Sequence, residues 1–134
     1  MLPFTVEFRH GVPVFEAVVF AVKKAVASGQ LVAGDRFPSV RTLSQGLRIN
    51  PNTAHKVVAS LVAQGLLRVE PGIGTVVARA PEAQEEQRAA LLGAEVERLV
   101  VEARNLGLDV RDVLDAVRRQ WKELPWKRSS RPKG

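Results

Sequence analysis

Apolar residues recur along this chain at two different periods, and the changes of period divide it. From Pro13 to Ser28, "PVFEAVVFAVKKAVAS", Phe15, Val18, Val19, Val22 and Val26 succeed one another at helical spacing. That spacing gathers them on one face of a helix. Pro13 near the start and Gly29 past the end match the usual asymmetry of helix termini. "VAGDRF" predicts a turn and then a very short extended piece. "PSVRTLSQGL" predicts a second, short helix, capped by Ser39, with Val40, Leu43 and Leu47 facing inward. Gly46 inside it lowers its helix stability. A third helix is expected from Pro51 to about Gln64, between Asn50 and Gly65. Its buried stripe is Ala54, Val57, Val58, Leu61 and Val62.

The pattern then changes to that of strands. Two β-rich runs, Leu66 to Val69 and Thr75 to Ala78, flank Glu70-Pro71-Gly72-Ile73-Gly74, which is a hairpin signal. Three helices and then a hairpin give a winged helix-turn-helix in outline. "RAPEAQEEQ" has the composition of a linker, with Pro81 barring a helix across it. A long helix is expected from about Glu85 to Asn105, where Leu92, Val96, Leu99, Ala103 and Leu106 alternate steps of four and three in a heptad-like seam. Gly107 ends it, Asp109 caps a final helix, and Pro125 stops that one. The expected fold class is mainly α with a small β-hairpin wing. A winged helix-turn-helix domain is expected over 1–79, a linker over 80–84, a two-helix dimerisation region over 85–124, and a basic, disordered tail over 125–134. The residues expected at the dimer interface are Leu92, Val96, Leu99, Ala103, Val113, Val117 and Trp121.

Composition narrows the chemistry. The 134 residues suffice for one compact domain or a small domain with an appendage. There is no cysteine and there are two histidines, His10 and His55, far apart, so disulfides and thiolate metal sites are excluded and a histidine zinc site is not expected. No cofactor and no metal are expected. Asp109, Asp112 and Asp115 step along one helix and read as helix-start acids and surface charge before they read as a divalent-ion site. No residue set suits a catalytic centre, so an enzyme is not expected. No apolar stretch reaches transmembrane length and no leader pattern opens the chain; the expectation is a cytoplasmic protein with no membrane partner.

Net charge is +6, unevenly spread. Residues 1–80 carry nine Lys/Arg against four Asp/Glu, residues 81–124 seven against ten, and residues 125–134 four basic and no acidic side chains. A basic front suits a polyanionic partner. The outer stripe of the third helix sharpens that reading: Asn52, His55, Lys56, Ala59, Ser60 and Ala63 are polar at the helix start, small beyond it, and include no acid. Asn50 and Pro51 are accounted for by helix-start chemistry. Asn52, Thr53, His55 and Lys56 are not, and an acid-free face of this kind fits a phosphate-lined groove.

The ordered motifs resemble the GntR family of bacterial transcription regulators. They are Gly29-Gln30-Leu31-Val32-Ala33-Gly34, Pro38-Ser39-Val40-Arg41-Thr42-Leu43, Ile49-Asn50-Pro51-Asn52-Thr53, and the wing Gly72-Ile73-Gly74-Thr75-Val76-Val77. Together they cover about residues 11 to 78. "VVEARNLGLDVRDVLDAV" looks like the short two-helix region of the YtrA-like subfamily. The resemblance implies that Arg41 contacts the DNA backbone. It implies that Asn52, Thr53, His55 and Lys56 enter the major groove and that Gly72 in the wing approaches DNA. Ser39, Asn50 and Thr75 complete the expected DNA-binding set. This chain departs from the family at Ile73, where Arg or Lys is usual, and at His55, where Arg or Gln is common.

The expected function is therefore that of a sequence-specific regulator, a repressor binding double-stranded DNA at a palindromic operator as a homodimer. Phosphate contacts would supply affinity and base edges discrimination. A nonspecific architectural DNA-binding protein and a winged-helix protein-interaction module are the alternatives. A small-molecule effector is left open.

Overall fold

The computed structural model describes residues 2–79 and 85–124. The expected linker and tail, 80–84 and 125–134, lie outside the described residues. The described residues group into two compact units, taken in turn.

The first unit contains α1 (Val14–Ala27), α2 (Val40–Leu47), α3 (Pro51–Ala63), β1 (Leu67–Glu70) and β2 (Gly74–Val77). The helices begin where the sequence offers caps. Ser39 accepts from the Thr42 N–H at 3.1 Å and Asn50 from the Asn52 N–H at 2.7 Å, each satisfying a donor the helix leaves unpaired. The strands pair antiparallel, Leu67 opposite Val77 and Glu70 opposite Gly74. They sit one residue off the predicted runs because the turn is tighter than the five-residue loop expected. Ile73 N–H donates to the Glu70 carbonyl at 3.0 Å, with Pro71 and Gly72 as the central residues. Gly72 has φ 78°, the region a type II turn requires at that position. The short extended piece also finds a partner: Phe37 N–H donates to the Thr75 carbonyl and Val77 N–H to the Asp35 carbonyl, both at 2.8 Å, joining it to β2.

The core lies where α1, α2, α3 and the hairpin converge. Val18, Val22, Leu43, Ala54, Val57 and Leu61 are fully buried, with Leu67 and Val77 closing the hairpin side. The helical and strand periodicities leave out one contributor. Phe4 is buried and its ring stacks on Phe37, centroids 5.7 Å apart and planes within 9°. Leu2 and Val6, on either side, pack against the same core. Gly46 gains a purpose here: a Cβ at that position would lie 3.1 Å from Leu2. The glycine that weakens α2 admits the N-terminal segment against it.

The second unit holds α4 (Glu85–Ala90), a π-helical turn (Leu91–Glu95), α5 (Val96–Asn105) and α6 (Val110–Glu123). Backbone angles stay helical at Ala90, Glu95 and Val96, so the long helix expected from about Glu85 to Asn105 is continuous but contains a wide turn. The extra residue in that turn shifts the helical phase of the residues beyond it. The regular seam expected to start at Leu92 is therefore interrupted, with Leu92 inside the wide turn. Ala103 also departs from expectation: it is buried, at 6% exposure, and its carbonyl accepts from Leu106 and Leu108 in the turn toward α6. Asp109 opens α6 with a capping box, its own N–H donating to Asp112 at 2.8 Å. Asp115 lies 3.5 Å from Arg118. Those three carboxylates thus serve helix-start and surface roles.

Candidate nucleic-acid interface

α2 and α3 meet through a tight turn at Arg48 and Ile49, the helix-turn-helix connection. Asn52, His55, Lys56 and Ala59 are exposed along one side of α3, while Ala54, Val57 and Leu61 hold its other side in the core. The residue types at the start of α3 therefore reach outward on a rigid element anchored from behind. Thr53 is half-buried beside them.

Each candidate has a local setting. Arg41 and Lys56 are exposed, and among the described residues neither forms an ion pair. Their charges are free for an external anion. Ser39 and Asn50 use a side-chain oxygen to cap, and the Ser39 hydroxyl donates to Thr42 Oγ1 at 3.0 Å. Their first role is to fix the helix starts that present Arg41 and Asn52. Gly72 is exposed at the hairpin tip with open space where a Cβ would stand, so its backbone is accessible. Thr75 is half-buried and its carbonyl is engaged by Phe37. The wing tip is not basic: Val69 and Ile73 are exposed there, and Arg68 is paired with Glu70.

The electrostatic frame is wider than α3 alone. Between Asp35 and Glu70 the chain has no carboxylate side chain and has Arg36, Arg41, Arg48, Lys56 and Arg68. Both helices of the motif and the turn between them lie inside that stretch. Positive potential over a protruding helix with amide, hydroxyl and imidazole groups at its start is the arrangement that reads duplex DNA.

Fold and exposed face together define a winged helix-turn-helix DNA-binding protein. Residues 15–77 match the family model described as bacterial regulatory proteins, gntR family. The HTH-type transcriptional repressor YtrA of Bacillus subtilis (strain 168) is 26% identical over 103 residues, covering 76% of this chain and 79% of that protein. The HTH-type transcriptional regulator YhcF of the same organism is 24% identical over 112 residues, covering 84% of this chain and 93% of YhcF. A transcriptional antiterminator from Listeria monocytogenes EGD-e shares the fold at a TM-score of 0.80 and 21% identity, with 90% of this chain and 91% of that one covered. Residues 15–77 are thus a DNA-binding domain of the GntR type, and the similarity to the YtrA repressor extends beyond that domain over most of the chain.

Proposed function

We propose that this regulator binds a two-fold symmetric operator as a homodimer and represses transcription there. The observation that carries the reading is the uncovered apolar surface of residues 85–124. Leu92, Leu99 and Trp121 are 70%, 45% and 76% exposed, and Val96, Leu114 and Val117 are exposed as well. Val113 is half-buried, and Ala103 is the one buried residue among those described in this unit. Helices of this length do not offset their ordering entropy without a core. A second copy supplies that core by pairing the same face with itself.

Each segment then has its own task. Residues 1–79 read DNA, 80–84 link, 85–124 dimerise and offer the place where an effector would act, and the basic tail adds weak, sequence-blind attraction. Arg41 and Lys56 hold phosphates, Asn52 reads a base edge, Thr53 and His55 flank it, and the backbone at Gly72 with Thr75 lines the wing's approach. Within each half-site one α3 lies in the major groove, and the pairing of copies sets the spacing between half-sites. Repression rather than activation is supported by the name of the YtrA relative.

Selection of bound duplexes from a random pool, with light scattering on the same preparation, tests the reading. A dimer that enriches an inverted repeat is expected. A monomer, or a pool left unenriched as an architectural protein would leave it, overturns it.

A further inference from the structure

Arg48 occupies the turn between α2 and α3 at φ 56° and ψ 49°, and among the described residues it is the one non-glycine with positive φ. The turn demands that conformation. The N–H groups of Arg48 and Ile49 both donate to the Ser44 carbonyl, the latter at 3.0 Å, while Ile49 packs against the core. This is the left-handed helix ending that glycine, or failing that asparagine, fills with least strain. A side chain kept there against that preference needs a reason outside the turn.

Three further observations give the reason. Arg48 is exposed and, among the described residues, forms no ion pair. It stands seven residues after Arg41, just past the end of α2, with exposed Gln45 between them. It also stands two residues before the Asn50 cap of α3, at the edge of the reading surface and inside the acid-free stretch from Asp35 to Glu70.

We infer that Arg48 is a further phosphate-binding residue beside Arg41 and Lys56, which with Arg41 pins the α2 end of the motif to the DNA backbone and fixes how α3 enters the groove. The inference rests on the DNA-binding reading above and adds a residue that its motifs do not include. Its mark is a conflict between stability and binding at one position. Arg48→Gly relieves the left-handed strain, so the melting temperature rises by about 3–8 °C. The same change, and Arg48→Asn, removes a cation. Affinity for every duplex then falls about 3- to 10-fold at moderate salt, and the slope of log K against log salt loses about 0.9 per protomer. Arg48→Lys keeps the slope.

The experiment is thermal melting and salt-dependent titration of the full chain with its selected duplex and with random duplex, for the parent, the three Arg48 variants and Arg41→Ala. A flatter slope for Arg48→Gly and Arg48→Asn, with the slope kept in Arg48→Lys, supports the inference. Parental slope and affinity in Arg48→Gly and Arg48→Asn, beside a flattened slope in Arg41→Ala, overturn this inference alone and leave Arg48 as a strained helix cap. A parent that binds duplex DNA weakly and without salt dependence overturns the DNA-binding reading and this inference with it.

Discussion

Truncating Val96 and Leu99 to alanine isolates the second unit's contribution. Their exposures of 41% and 45% leave a little under half of each side chain for a partner to cover. Full burial of a Val or Leu side chain stabilises by about 1.5–3 kcal/mol, so the uncovered part is worth about 0.6–1.3 kcal/mol apiece. In the proposed two-fold dimer both residues come to the interface from both copies. The double variant should therefore weaken dimerisation by about 2–5 kcal/mol, which raises the dissociation constant about 30- to 3,000-fold. Alanine has the highest helix propensity, so helicity should not fall and the effect can be assigned to the interface. At protein concentrations below the new dissociation constant, the second reading domain loses its tethered, roughly millimolar effective concentration. Operator affinity should then drop by about two to four orders of magnitude, whereas binding to a single half-site should change little. Sedimentation equilibrium and operator titration measure both quantities. An unchanged dimerisation constant, or loss of half-site binding in parallel with operator binding, would refute the assignment.

Other substitutions separate the remaining roles. Arg41→Ala or Lys56→Ala should weaken binding to all sequences about equally and flatten its salt dependence, measured by titration across salt concentrations. Asn52→Ala should lose about 1–3 kcal/mol against the preferred site and relax the choice at one base position, read by repeating the selection; equal binding of every duplex by parent and variant would remove Asn52 from the reading set. Phe4→Ala should destabilise the first unit by about 3–5 kcal/mol and lower its melting midpoint by more than about 10 °C, seen by calorimetry, because it deletes a buried ring stacked on Phe37.

What the sequence determined by itself is local. The inner stripes of α1, α2 and α3, the caps Ser39, Asn50 and Asp109, and the Pro71-Gly72 turn each depend on residues within a few positions of one another. Periodicity and turn chemistry therefore expose them directly. The outward set at the start of α3 was legible for the same reason: once the buried stripe is known, the opposite face is fixed by helical geometry. What only the tertiary structure decided depends on partners distant in the chain. Leu2, Phe4 and Val6 alternate as a strand would, but nothing local says that Phe4 meets Phe37 or that Gly46 makes room for Leu2. The π turn at Leu91–Glu95 breaks a seam that counting by threes and fours leaves intact, because the count assumes a constant pitch. Arg48 looks like any surface arginine until the closing of α2 onto α3 forces its backbone left-handed. That conformation goes with a turn in which the Arg48 and Ile49 N–H groups return to the Ser44 carbonyl and Ile49 packs against the core, a requirement not encoded by the arginine itself.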